Sequence, residues 1–97
     1  MAVRHMAWLK FKEGVDTARI DHHLQACRSM VGRVAAVLDL ECGTNISDRA
    51  GGFTHGIIVS VDSPEGLAAY MSDPVHLPIA DALKADVAEL RVMDIEF

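Results

Sequence analysis

Four apolar segments of the chain have the length and composition of β-strands. The alternation of side chains and the bounding turn residues predict strands at 3–11, 34–46, 54–61 and 90–97. The third of these, THGIIVSV, is rich in β-branched residues, which favour an extended backbone. The segment SDRAGG at 47–52 has turn composition and separates the second strand from the third.

Helical spacing is found in the segments that separate the other strands. Asp16 can cap a first helix, whose apolar residues recur every three or four positions until Gly32 ends it. A second helix is predicted to begin at Ser63 and Pro64, which are typical of the N-cap and the first helical position. A short helical piece is predicted to follow at about 78–84.

The predicted order of elements is β-α-β-β-α-β, which is typical of the ferredoxin-like unit. This unit is an α+β fold with an antiparallel four-stranded sheet and both helices on one face. Strand one is predicted to lie beside strand three at the sheet centre, and we interpret these two strands as parallel neighbours because of the βαβ crossovers. Residues 1–97 are therefore predicted to form a single domain.

Both faces of the two central strands are apolar, although the helices can cover only one of them. The uncovered face would expose Met6, Trp8 and Ile58 to water as one large patch. A second copy of the chain packed sheet to sheet would bury this patch, so we expect a homodimer that forms an α+β barrel. The alternative is a monomer with a mildly apolar, hydrated face.

Charge and cysteine content narrow the classes of partner and the compartment. The net charge is −5 and the chain has no basic run, which is unfavourable for binding nucleic acid or an anionic membrane. The two cysteines have no CxxC spacing, so a disulfide framework is not expected. This cysteine content fits a reducing cytoplasm better. No apolar run approaches the roughly 18 residues of a membrane span, and no signal-peptide core is present.

Polar side chains from four segments are predicted to meet at one mouth between the sheet and the helices. His5 and His55 begin two strands interpreted as parallel, so both imidazoles should lie at the same end of the sheet. The second helix runs back toward that end and carries Tyr70 on its apolar stripe. His76 follows in a loop that is stiffened by prolines on both sides. The predicted pocket residues are His5, His55, Tyr70 and His76, with Leu9 and Ile57 on the same sheet face.

Other polar groups are interpreted as structural. His22 and His23 are adjacent on the first helix and are expected to face solvent, whereas Cys27 on the apolar stripe is expected in the core. Asp94 and Glu96 alternate with apolar residues and are interpreted as edge charges. No carboxylate or cysteine has ligand-like spacing with the histidines, so no metal site is predicted.

The chain resembles one known family over nearly its whole length. The segments HMAWLKFKEGV, GTNIS and GGFTHGIIVSVDSPEGLAAYMSDPVH are similar to those of the stress-responsive dimeric α+β barrel, or Dabb, domain. The most specific parts are the strand-one histidine followed by LKFK, the FTHG start of strand three and the AY…P.H end of the second helix. The resemblance implies a ferredoxin-like protomer and a barrel-forming homodimer.

The resemblance also implies a chemistry, because one branch of this family looks like polyketide cyclases. In that branch a histidine at the position of His76 is the general base and a tyrosine at the position of Tyr70 assists it. The strand histidines, at the positions of His5 and His55, line the same cavity. An aldol-type proton transfer of this kind requires no metal and no organic cofactor.

Three functions follow from these predictions. The first is a pocket for a small, hydrophobic, oxygen-bearing ligand, with cyclase-type or lyase-type chemistry at His76 and Tyr70. The second is a non-enzymatic, stress-associated assembly role, for which Leu9, Ile57, Leu67 and their neighbours should fill the pocket. The third is cofactor-free monooxygenation, which other dimeric α+β barrels carry out.

Overall fold

The computed structural model describes all 97 residues and has the ferredoxin-like α+β fold, with one four-stranded sheet and three helices on one of its faces. None of these helices is both long enough and apolar enough to cross a bilayer. The elements are β1 (Val3–Phe11), α1 (Thr17–Arg28), β2 (Asp39–Thr44), β3 (His55–Val61), α2 (Pro64–Ser72), α3 (His76–Asp86) and β4 (Val87–Glu96).

The strands are arranged in the order β2-β3-β1-β4, and every neighbouring pair is antiparallel. The interpretation of strands one and three as parallel neighbours was therefore wrong. The crossover through α1 makes β1 parallel to β2. Strand β3 lies between them and is antiparallel to both. His5 consequently faces Val59, whereas His55 faces Leu9, four residues further along β1. At about 3.4 Å per residue, the two histidines are separated by roughly 14 Å along the strand.

Helix α1 begins where the sequence predicted and ends earlier. The Asp16 carboxylate accepts a hydrogen bond from the backbone N–H of Arg19 at 2.9 Å, which is the expected N-cap. The helix ends at Arg28, and a series of turns then includes Gly32 at φ +83°. The second strand starts at residue 39 instead of 34, because the apolar residues before it are buried as part of these turns.

Helix α3 is longer than the predicted piece at 78–84. It begins at His76, so this histidine lies in the first helical turn and not in a loop. Pro78 does not prevent this start, because backbone N–H groups in the first turn have no partner within the helix. The helix continues to Asp86 and β4 follows at once, three residues before its predicted start.

The helices cover one face of the sheet and leave the other open, as predicted. The core between them includes the completely buried Leu9, Met30, Val34, Val59 and Val61. The opposite face carries a row of apolar side chains, among which Trp8 is 50% exposed and Met93 is 61% exposed. We refer to Met6, Trp8, Ile58, Met93 and Ile95 as the open sheet face.

A buried polar cluster joins α1 to the junction between α3 and β4. His23 was expected to face solvent, but it is only 6% exposed, and its Nε2–H donates to Asp86 Oδ2 at 2.6 Å. Arg19 Nε donates to the same oxygen at 2.6 Å, and the Lys12 backbone N–H donates to the Asp86 carbonyl at 2.8 Å. The hydrogen bond from His23, followed by that from Arg19, holds the pKa of Asp86 below its ordinary value.

Asp86→Asn should lower the melting temperature, because the amide keeps the shape but loses the charge-assisted hydrogen bonds. Because the pKa is lowered on folding, the stabilisation by Asp86 is fully present above the unfolded-state pKa of about 3.8 and is lost as pH falls from there through the lower folded-state pKa. The gap between wild type and variant should therefore narrow as pH falls below 3.8. Thermal unfolding between pH 3 and 7 measures this gap.

The matched control is Asp81→Asn, which removes an exposed carboxylate from the same helix. Equal melting temperatures for Asp86→Asn and Asp81→Asn at pH 7 would contradict a stabilising role of the cluster.

Candidate functional site

A cavity of about 360 Å³ lies between the helices and the β1–β4 half of the sheet. Its walls come from β1 and β4 on one side and from α2 and α3 on the other, and most of them are apolar. Leu9, Ile57 and Leu67 line this space without filling it, contrary to the filled interior expected for a pure assembly role. The volume is within the range of small-molecule sites, about 300–1,000 Å³.

Three of the four predicted polar side chains meet in this cavity. The rings of His5 and Tyr70 have centroids 5.7 Å apart, and those of Tyr70 and His76 are 4.3 Å apart. All three residues are buried and all three line the cavity. The site therefore places a phenol between two imidazoles.

His76 is held in one tautomer by the end of α2. Its Nδ1 lies 3.2 Å from the backbone carbonyl oxygen of Met71. A carbonyl only accepts, so Nδ1 carries the proton in the neutral ring and Nε2 keeps its lone pair. Burial lowers the pKa of His76, although the Met71 hydrogen bond partly opposes this effect. The ring is thus a neutral base at neutral pH.

Tyr70 presents an uncharged hydroxyl to the cavity. It lies on the apolar stripe of α2, and burial raises the pKa of its phenol well above the ordinary value. Every fully buried side-chain nitrogen and oxygen has a hydrogen-bond partner. The Tyr70 hydroxyl has none within the chain, so it is not fully buried, and Tyr70 is one of the residues that line the cavity. It can donate to a ligand oxygen.

His5 is paired with Asp94, which was predicted to be an edge charge. The two residues face each other in the β1–β4 register, and His5 Nδ1 lies 2.5 Å from Asp94 Oδ1. The carboxylate accepts from Nδ1–H and thereby orients the ring. The alternation of side chains along β4 could have indicated this position. Asp94 lies on the same face of β4 as the cavity-lining residues Leu90 and Val92.

His55 lies outside the cavity, so the prediction of one mouth for all four side chains was wrong for this residue. The antiparallel pairing of β1 and β3 places it beside Leu9, at the other end of the helix-covered face. Its ring contacts Phe11 at a centroid distance of 5.2 Å, and its Nδ1 is 2.8 Å from the Thr54 hydroxyl. Burial lowers the pKa of His55.

Cys27 lies on the cavity wall as well as in the core. It is a free cysteine on α1, and burial raises the pKa of its thiol to about 11. Cys42 is also free and is less buried, with its Sγ 3.6 Å from the Leu24 carbonyl. Burial raises the pKa of Cys42 too. No three histidine, cysteine or carboxylate side chains are grouped closely enough to hold a metal ion.

Comparison with known proteins gives a family match across the site. Residues 3–97 match the family described as the Stress responsive A/B Barrel Domain. The chain is 26% identical over 96 residues to olivetolic acid cyclase of Cannabis sativa, covering 97% of this chain and 95% of that protein.

Two solved structures share the fold at lower identity. Hydroxynitrile lyase from Passiflora edulis superposes with a TM-score of 0.90 at 20% identity, covering 97% of this chain and 91% of that one. A protein from Thermobifida fusca, described as a dimeric ferredoxin-like protein, has a TM-score of 0.88 at 16% identity. The alignment with it covers 100% of this chain and 92% of that one.

The two thiols should differ in reactivity toward Ellman's reagent at pH 8. The thiolate is the nucleophile, so the buried Cys27, with a pKa of about 11, should react more slowly than the more accessible Cys42. Absorbance at 412 nm would follow both rates in the wild type, and both thiols should react rapidly in guanidinium.

The single variants Cys27→Ala and Cys42→Ala assign the two phases. A fast phase that survives in Cys42→Ala would contradict the burial of Cys27.

Proposed function

Because the chain belongs to the stress-responsive A/B barrel domain (Dabb) family, we propose that its cavity binds a small apolar carbonyl compound and that His76 removes a proton from it. Relatives named as a cyclase and as a lyase support an enzyme of the cyclase or lyase class. The observation that carries the proposal is the pairing of His76 with Tyr70, at 4.3 Å, on the wall of an apolar cavity.

The base is His76 at Nε2. Its other nitrogen is engaged with the Met71 carbonyl, and the lowered pKa keeps the ring unprotonated near neutral pH. Nε2 takes a proton from a carbon next to a carbonyl, and the C–H electron pair becomes an enolate. Tyr70 donates its hydroxyl hydrogen bond to the enolate oxygen.

The enolate can then close a ring without any redox step. In ring closure its carbon attacks a second carbonyl of the same molecule, a carbon–carbon bond forms, and the resulting alkoxide takes the proton back from the His76 imidazolium. His5, oriented by Asp94, faces the same space and supplies a second hydrogen-bonding group. The apolar walls exclude water and strengthen each of these interactions.

The open sheet face supports a homodimer as the form in which the site operates. Trp8, Met93 and Ile95 would otherwise remain exposed side by side on the sheet. A second copy packed on this face would bury them, and the Thermobifida fusca protein of the same fold is described as dimeric. Assembly without catalysis is the second candidate function, and this face is the observation that favours it.

His76→Ala should abolish base-catalysed exchange of the acidic methylene protons of acyclic 1,3-diketones, measured by NMR in D2O. We expect a loss of about 100-fold or more for His76→Ala and a loss of about 100-fold for Tyr70→Phe. The control is His22→Ala, which removes an exposed histidine from α1. Exchange by His76→Ala at the wild-type rate would refute the assignment of the base, and the absence of exchange by wild type would favour the assembly role.

The pH profile of the same exchange reaction should have an acid limb whose midpoint lies below 6.5, the ordinary pKa of histidine. Because burial lowers the pKa of His76, the unprotonated ring persists to lower pH than a free imidazole. The profile of kcat/KM against pH measures this limb in the free protein. An acid limb at or above pH 6.5 would contradict a desolvated base.

Trp8→Glu should convert the dimer to a monomer, because it places a charge in the centre of the apolar contact. Light scattering after gel filtration should give about 21 kDa for wild type, twice the 10.5 kDa of one chain, and about 10.5 kDa for the variant. Leu77→Glu is the control, since Leu77 is an exposed leucine on α3. A monomeric wild type, or a dimer that persists in Trp8→Glu, would overturn this contact.

A further inference from the structure

One cationic side chain lines the cavity and has no role in the proton transfer proposed above. Lys84 lies on α3, on the same wall as His76, and it lines the cavity. We infer that Lys84 selects ligands with an acidic group, so that the compound bound is an apolar carboxylate and not a neutral molecule. The inference rests on the proposed function, because it concerns the ligand of the same cavity.

Lys84 has no anionic partner within the chain. The three ion pairs of the structure are His5–Asp94, Arg19–Asp86 and His23–Asp86, and none includes it. Asp81, one turn before Lys84 on the same helix, forms no ion pair either. The ammonium group is therefore available to a ligand.

The carboxylates near the cavity do not neutralise this charge. Asp94 is engaged by His5. Glu89 also lines the cavity, but it forms no ion pair with Lys84. The charge of Lys84 consequently acts on the cavity without a fixed counter-ion.

Local charge is needed here because the chain as a whole repels anions. Its net charge is −5, so long-range attraction cannot bring an anion to the site. Lys84 is itself exposed, so its charge is screened by water and acts on an anion only at short range. Lys84 contributes to the lowered pKa of His76, which indicates that its field extends to the imidazole.

The positions on α3 set the shape of the ligand. His76 and Lys84 are eight residues apart, which corresponds to roughly 12 Å along a helix. Both side chains lean toward the N-terminus of the helix, so the backbone spacing remains the guide to the distance between the ammonium group and the imidazole. The acidic group and the reacting carbon should therefore be separated by an apolar chain of several carbons.

The test compares octanoate with octanamide, which differ in charge and share the alkyl chain. Each competes with the neutral dye N-phenyl-1-naphthylamine for the full-length protein, and dye fluorescence gives the dissociation constants. Wild type should prefer octanoate by about tenfold, which corresponds to about 1.4 kcal/mol. The preference should decrease as salt is raised from 20 mM to 500 mM.

Lys84→Met should remove the preference by weakening octanoate binding about tenfold, with a much smaller effect on octanamide, and Lys84→Arg should retain it. Arg49→Met is the control, because it removes the same charge from the exposed loop after β2. Equal binding of octanoate and octanamide by wild type, or an unchanged preference in Lys84→Met, would overturn the inference and leave the proposed cavity in place. Failure of either compound to displace the dye, or of the dye to bind, would count against the proposed function itself.

Discussion

The antiparallel pairing of β1 with β4 is the constraint on which the site depends. It places Asp94 opposite His5 and turns both toward the helices. Because side chains alternate across a strand, a slip of one residue would send the carboxylate to the open sheet face and leave His5 without its partner. The same register directs Leu90 and Val92 into the cavity and Met93 away from it. The register of β1 and β4 thus determines which side chains line the cavity and which lie on the open sheet face.

Helix α3 forms one wall of the cavity and is held by polar contacts at both ends. At its C-terminal end, Asp86 joins α1 through His23 and Arg19. At its N-terminal end, His76 is tied to the last turn of α2. Between these two ends α3 contributes Ile79, Ala80 and Leu83 to the wall of the cavity. The polar contacts thus connect α3 to α1 at one end and to α2 at the end that carries His76.

Local patterns were sufficient to predict the elements and the fold. The caps at Asp16 and Ser63 and the apolar strands all depend on short-range preferences that a single sequence displays. The ends of β2 and α3 were misplaced, because buried turn residues are as apolar as strand residues and because Pro78 is compatible with a first helical turn. The site was partly predictable, since the apolar stripe of α2 and the family resemblance pointed to His5, Tyr70 and His76, although the direction assumed for β3 was wrong. His55 and Asp94 required the strand directions and the β1–β4 register, and His23 required the position of Asp86, 63 residues away.

The interruption between α2 and α3 has a chemical consequence. The last carbonyls of any helix have no partner within it, and the Met71 carbonyl is one of these. The imidazole of His76 hydrogen-bonds to this free carbonyl oxygen. The break between α2 and α3 therefore determines which ring nitrogen of His76 carries the proton. A chain that ran one unbroken helix through this segment would satisfy the carbonyl internally and leave the ring free to exchange tautomers. Substitutions in the short connection at residues 73–75 could thereby change the reactivity of His76, although no side chain in this connection takes part in the proposed chemistry.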